Sequence, residues 1–409
     1  MSIITIISIL VTFCALFAYI NYRFIKLPTT IGIMMIALVF STIILFMPTF
    51  GFDVLPAAQN LLQTIDFSEA LLHGMLSFLL FAGALHVDLN KLSEQKYIVS
   101  TLAFFGTLFS TFLIGYIAYK VFPLLGFDIR FIEALLFGAL ISPTDPIAVM
   151  AILKKAGVPK SLEIKVVGES LFNDGIAVVV FVAILGIITK GDTTASEVAL
   201  LFVEEAVGGA ILGLVMGYGA FLMLRSVDNY QVEILLTLAL VMGGYELATF
   251  LHMSGPIAMV VAGLLVGNIG RSLAMSEHTK ENLDNFWELV DEFLNAILFL
   301  LIGFELLIIP FDQSALMAGL IMIPALLMVR YTAVFIPVTA LKKIRTFSPG
   351  AINILTWGGL RGGISVALVL SLPSGELRDF LLLVTYCIVM FSIIVQGLSI
   401  GKLAKRYNK

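Results

Sequence analysis

The stretch GESLFNDGIAVVVF, residues 168–181, decides how the chain must fold. Apolar residues run from Gly175 to Ile188 with almost no interruption, which asks for hydrocarbon surroundings. Just before them stand Glu169, Ser170, Asn173 and Asp174, where carboxylates are expensive. Ionisable residues inside a membrane segment face a partner, a wet cavity or an ion path. The fold has to surround this segment with lipid on one side and with polar protein on the other.

Composition supplies the lipid. The chain has 409 residues, 60% hydrophobic and only 13% charged, with mean hydropathy +1.06. Soluble domains carry roughly 45–50% apolar and about 25% charged residues. This is a polytopic all-α membrane protein, expected as a single integral unit over 1–409 with no soluble domain. The apolar N-terminus has no basic region before it and is long enough to span, so it reads as an uncleaved first helix. Cys14 and Cys387 both lie in apolar runs, which leaves no disulfide framework and no cysteine metal site. No basic patch with interleaved aromatics suggests nucleic acid, and no cofactor is expected.

A helix needs about 20 apolar residues to cross the hydrocarbon core. That window gives thirteen candidates, near 2–20, 29–47, 68–88, 97–121, 131–153, 163–188, 197–224, 231–251, 255–269, 286–308, 314–340, 349–371 and 377–399. The polar segment 271–285 is expected as a cytoplasmic loop or short interfacial helix. With the N-terminus outside, eighteen of the 24 basic residues, Lys165 among them, fall in inward-facing segments or the C-terminal tail. Only Lys120, Arg130, Lys190 and Arg378 face outward. That asymmetry fits the positive-inside rule and places the C-terminus in the cytoplasm of a cell membrane. Arg330 and Arg361 remain, both well within spans.

Two spans carry helix breakers at mid-depth. The fifth reads FGALISPTDPIAVM, with Pro143 and Pro146 around Thr144 and Asp145. A proline removes a backbone donor and clashes with the preceding turn. The twelfth reads LTWGGLRGGISVAL, with Gly358, Gly359, Gly362 and Gly363 around Leu360 and Arg361. A simple kink and a small-residue helix contact are the plainer readings. Their matching positions argue for more. Thirteen spans divide as six, one and six, so the fifth of one half corresponds to the twelfth, and matching interrupted segments point to an inverted-repeat transporter's substrate site. Half-helix ends at mid-membrane are positive at N-termini and negative at C-termini; Asp145 and Arg361 lie where such ends need compensation.

On the sixth span Glu169 and Asn173 are four apart, as are Ser170 and Asp174, so the four share a broad face. Their oxygens, with the Thr144 hydroxyl and a carbonyl freed by the prolines, suit a hard cation. Desolvation favours the protonated form of a buried carboxylate and a nearby cation favours the ionised one. Asp174 is therefore expected to hold either a proton or a metal ion. Glu169 is too close to ionise freely beside it, so an arginine, Arg330 or Arg361, is expected to neutralise it. Glu204, Glu205, Glu246, Asp291, Glu292 and Glu305, in or near other spans, are expected to pair or face interfaces more often than to bind ions, and His73 to be hydrogen bonded.

At SPTDP (142–146), GESLFNDG (168–175), VRYTAVF (329–335) and GGLRGG (358–363) the sequence resembles the sodium/proton exchanger branch of the monovalent cation:proton antiporters, close to the NhaP type. The resemblance covers essentially the whole chain. It implies a homodimer with inverted repeats. It also implies an ion-translocating core part including 97–188 and 314–371, moving against a dimerisation part including 1–47 and 197–251. It implies that Asp174 is the main carboxylate for Na⁺ (or Li⁺) and H⁺, with Ser170, Glu169, Asp145 and the Thr144 carbonyl completing or supporting the site. Asn173, where electrogenic relatives have an aspartate, implies electroneutral 1:1 exchange. Arg330 matches the arginine that pairs with the Glu169 position, leaving Arg361 a structural or gating role. K⁺/H⁺ exchange and sodium-coupled solute symport are the alternatives. An intramembrane aspartyl protease built on Asp145 and Asp174 lacks its Gly-x-Gly-Asp context.

Overall fold

The computed structural model of the protein describes residues 3–190, 195–342 and 347–407. Among them the chain is helical almost throughout, with no strand and one isolated antiparallel bridge, between Asp145 and Leu360. Ten of the described helices are long and apolar enough to cross a membrane. In chain order these are the first four spans, Ile4–Ile25, Thr29–Phe50, Phe67–Leu85 and Lys96–Leu125; the sixth to ninth, Lys160–Thr189, Val203–Arg225, Tyr230–Phe250 and Gly255–Leu273; the eleventh, Gln313–Leu341; and the thirteenth, Glu376–Tyr407. The tenth is Glu277–Glu305. The fifth is split into Phe131–Ile141 and Ile147–Ala156, the twelfth into Ala351–Trp357 and Gly363–Leu370.

Helix starts are set by side-chain caps. Asp66, Asn229, Ser254, Ser276 and Asp312 each accept a hydrogen bond from a backbone N–H of the first turn that follows. Such donors have no partner within their own helix and need one. Ser276 corrects one expectation. The polar segment 271–285 is mostly not a loop, because the tenth span already begins at Glu277. Lys165 lies inside the sixth span, 2% exposed, with its ammonium 4.9 Å from the centre of the Phe347 ring. It is held there by a buried cation–aromatic contact to the connection between the eleventh and twelfth spans. Lys343, Arg345 and Lys409 lie outside the described residues, as do the side chains of His73, Lys155 and Lys190.

The spans sort into two packing groups. The fourth, fifth, sixth, eleventh, twelfth and thirteenth pack on one another, while the second packs on the tenth, the third on the ninth and tenth, and the seventh on the eighth and ninth. Helices in lipid associate where small residues let backbones approach. A Cβ on Gly303 would fall 2.4 Å from that of Ala37, so the tenth and second spans are in direct backbone contact there. One on Gly267 would fall 2.1 Å from the Leu85 carbonyl oxygen, joining the ninth to the third. These pairs are equivalent under the six–one–six division: second with tenth becomes ninth with third. The fourth–fifth and eleventh–twelfth contacts obey the same exchange. The repeat expected from break positions is therefore present in the packing.

Candidate functional site

The two broken spans cross at their breaks. The Asp145 N–H donates to the Leu360 carbonyl at 2.8 Å, tying residues 142–146 to 358–362. Unwound backbone at membrane depth requires such internal partners. Arg361 supplies more: its Nη1 donates to the carbonyls of Ser142 at 2.5 Å and Pro143 at 2.9 Å. These are the orphan acceptors at the C-terminal, negative end of Phe131–Ile141, where a cation is favourable. The opposite compensation comes from Asp145. A Cβ on Gly362 would fall 2.2 Å from Asp145 Oδ2, so the carboxylate lies against the start of the Gly363–Leu370 half-helix, its positive end. Each break thus places a charge on the other's half-helix end.

The sixth span delivers four polar side chains to this crossing, and the structure divides them. Asn173 Nδ2 donates to Thr144 Oγ1 at 2.8 Å, and the Thr144 N–H donates to Asn173 Oδ1 at 3.3 Å. Ser170 Oγ lies 3.0 Å from Thr144 Oγ1. The unwound fifth span is therefore sewn to the sixth through Thr144. Glu169 turns the other way, toward the eleventh span. It accepts from Arg330 Nη1, and from Nη2 at 3.0 Å, while Nη2 also donates to the Leu355 carbonyl at 3.0 Å. Of the two arginines, Arg330 holds Glu169 and Arg361 holds carbonyls. Glu169 is 1% exposed and Arg330 6%, so this is a buried bidentate ion pair.

Asp174 is different. It is 7% exposed, and its Oδ1 is buried without a hydrogen-bond partner among the described residues. The charged groups that act on it are Asp145 and Arg361. A buried carboxylate oxygen without a donor is costly unless a proton or a cation meets it. The hydroxyls of Thr144 and Ser170 are the neutral oxygens of the same crossing, a donor set that suits a hard monovalent ion rather than a thiolate- or imidazole-loving metal.

Sequence reasoning missed the scaffold behind the crossing. The Arg361 N–H donates to Ser392 Oγ at 2.8 Å; that hydroxyl donates to Gln396 Oε1 at 2.8 Å, and Gln396 Nε2 donates to the Trp357 carbonyl at 3.0 Å. The twelfth-span break is thereby bolted to the thirteenth span, which widens to a π-helical turn at Ser392–Gly397. A buried Gln within the apolar run around 396 was the available signal.

A cavity of about 1210 Å³ approaches the crossing from one face, lined by residues including Asn21, Lys26, Lys154, Glu288, Asp291, Glu292 and Asn295. Asp291 also lies within electrostatic reach of Asp145. One turn past Asn295, Leu298 packs where a Gly363 side chain would be, its Cδ1 2.5 Å from that Cβ position. The cavity therefore ends about a turn short of the crossing. Asp291 and Glu292, expected to pair or to face an interface, line it.

A family model described as the transmembrane sodium/hydrogen exchanger matches residues 9–406. The chain is 53% identical over 407 residues to a Na⁺/H⁺ antiporter, NhaP, of Pseudomonas aeruginosa, covering 98% of this chain and 96% of that one. It is 36% identical over 394 residues to the Na⁺/H⁺ antiporter NhaH of Halobacillus dabanensis, covering 94% and 93%. Its fold is similar to that of the sodium proton antiporter MjNhaP1 from Methanocaldococcus jannaschii, with a TM-score of 0.77 at 18% identity over 100% of this chain and 99% of that one.

Proposed function

Because this chain belongs to the transmembrane sodium/hydrogen exchanger family, we propose that it exchanges Na⁺ (or Li⁺) for H⁺ across the membrane, one for one, by alternating access. The observation that carries the mechanism is the Asp174 oxygen, buried beside the crossing of two broken helices with no hydrogen-bond partner among the described residues. Either a proton or a dehydrated cation satisfies that oxygen, and each excludes the other. An empty, ionised Asp174 is costly in the closed intermediate, and this suppresses uncoupled leak.

The remaining residues then take distinct roles. Thr144 and Ser170 supply neutral oxygens, and Asp145 adds charge from the opposite break. Glu169 acts through its pair with Arg330 rather than as a direct ligand, since both its oxygens already accept from the guanidinium. Neutral Asn173 keeps one carboxylate in charge of the cycle, which makes the exchange electroneutral. The group containing 97–188 and 314–371 is the moving core. The group containing 1–47 and 197–251 is the dimerisation part of a homodimer, and exposed Ile211, Leu214, Val215, Tyr218 and Leu222 on the seventh span offer it an apolar face. The N-terminus lies outside a cell membrane and the C-terminus in the cytoplasm, so the wide cavity opens inward.

The test is flux in proteoliposomes offered Na⁺, Li⁺ or K⁺, with and without an imposed voltage. Sodium-driven pH change that ignores voltage supports the reading. Exchange restricted to K⁺, or a rate that follows voltage, rejects the cation or the stoichiometry.

A further inference from the structure

The second half of the tenth span carries one stripe. Asp291, Asn295, Leu298, Leu301 and Glu305 follow at steps of three or four residues and so share a face. Asp291 and Asn295 line the wide cavity. Leu301 and Glu305 line a second one, of about 240 Å³, at the C-terminal end of the same helix. Between the two, Leu298 and Leu301 are buried, at 3% and 5% exposure. The stripe is polar at both ends and closed by leucine in the middle.

The second cavity draws on the helices that the repeat pairs with those of the first. Exchanging the halves turns the tenth span into the third, and the second half of the fifth into the second half of the twelfth. The wide cavity is walled by Glu288 to Asn295, in the middle of the tenth span, and by Ile152 and Lys154 of the fifth. The small one is walled by Asp66, Phe67 and Ser68 at the start of the third span and by Leu370 of the twelfth. Each cavity thus takes one wall from either exchanged pair of spans, on opposite faces.

Glu305 makes the second cavity more than a fold in the surface. It is 6% exposed, lines the cavity, and its carboxylate has no hydrogen bond or ion pair at contact distance among the described residues. The charged and titratable groups that act within this cluster are Arg378, at the start of the thirteenth span, Asp66 and Tyr386. Arg378 keeps its short contacts elsewhere, with Nη1 donating to Ser374 Oγ at 3.0 Å and Nε lying 3.8 Å from Asp379. A buried carboxylate without a contact partner, facing a polar cavity, is a place for a small cation or its water.

We propose that the second cavity is the closed passage to the face opposite the wide one, with Leu298 and Leu301 as its plug and Glu305 as the carboxylate that collects the monovalent cation on that side. The inference rests on the exchange reading above. It adds an ion subsite two helical turns beyond the crossing, and an assignment of which face that subsite serves. Arg378 opposes cation occupancy there and sets how strongly Glu305 attracts.

The experiment compares right-side-out and everted membrane vesicles carrying the full chain, with Na⁺ added to the bath and pH change read by a dye. Glu305→Gln should raise the apparent KM for Na⁺ about tenfold when one face is exposed, leaving KM at the other face at the wild-type value. Glu305→Asp should restore most of the affinity, and Arg378→Gln should lower KM at that same face. Equal shifts at both faces, or none, overturn the proposal. Should Glu305→Gln fail to reach the membrane, Arg378→Gln decides alone: a lowered one-sided KM supports the subsite and an unchanged one removes it. Absence of sodium-driven pH change in the wild type would instead remove the exchange reading, so the two failures are separable.

Discussion

Removing Arg330 should be among the most damaging single changes in the transmembrane part. Arg330→Ala deletes three donated hydrogen bonds, two to Glu169 and one to the Leu355 carbonyl. It leaves a carboxylate that is 1% exposed with no counter-charge. Taking one partner from a buried ion pair costs about 3–5 kcal/mol, chiefly the desolvation of the survivor. An unfolding entropy of about 2.1 cal/mol/K per residue over the 409 residues makes each kcal/mol worth about 1.2 °C in Tm. The expected drop is therefore about 4–6 °C, read by thermal unfolding of the purified protein in a fixed detergent and lipid mixture. The double variant Glu169→Gln with Arg330→Gln removes both charges together and should recover more than half of that loss. Two results refute the reasoning: an Arg330→Ala protein melting with the wild type, or a double variant no better than the single one.

Other expectations are as specific. Asp174→Asn should abolish sodium-driven pH change in proteoliposomes while Tm holds or rises, because the amide relieves a partnerless buried carboxylate oxygen; retained exchange would take Asp174 out of the mechanism. Gly362→Ala places a Cβ 2.2 Å from Asp145 Oδ2, so the crossing must part, and turnover should fall at least about tenfold in protein that still reaches the membrane. At the end of the third span the His86 side chain is 40% exposed, with Asp284 3.9 Å from its Nδ1. Partial burial first and then the Arg271 charge hold it below its ordinary value of 6.5, outweighing Asp284 and Glu288, which favour its charged form. The unfolded chain then binds the proton more readily than the folded one, so this residue's contribution falls as pH drops through 6.5 toward the folded value. His86→Gln should flatten the decline of Tm with acid below about pH 6.5; an unchanged slope would mean that His86 does not report there.

The membrane class, the span order and the two breaks were legible because they rest on composition and on prolines and glycines, which act locally. The oxygen cluster was legible too, since Glu169, Ser170, Asn173 and Asp174 occupy consecutive turns of one apolar helix. What sequence left open was direction. The four residues share a broad face, yet Glu169 turns to the eleventh span while Ser170 and Asn173 turn to the fifth, and that division depends on contacts between distant segments. The start of the tenth span escaped for another reason. Glu277, Lys280, Asp284 and Glu288 depress its hydropathy, and a window tuned to hydrocarbon cannot separate a loop from a helix whose polar face meets ions or a water-filled cavity. Ser392 and Gln396 escaped because a hydroxyl and an amide in an apolar run gain meaning only once the Arg361 N–H and the Trp357 carbonyl are known to need them.

The central claim is that proton and sodium compete for Asp174. It is tested most directly by adding Na⁺ to the purified, weakly buffered protein and counting the protons that leave. The account predicts about one proton released per cation bound, diminishing as the solution is made alkaline enough to ionise Asp174 beforehand, and none from Asp174→Asn. Sodium bound by the wild type with no proton released at any pH would contradict it.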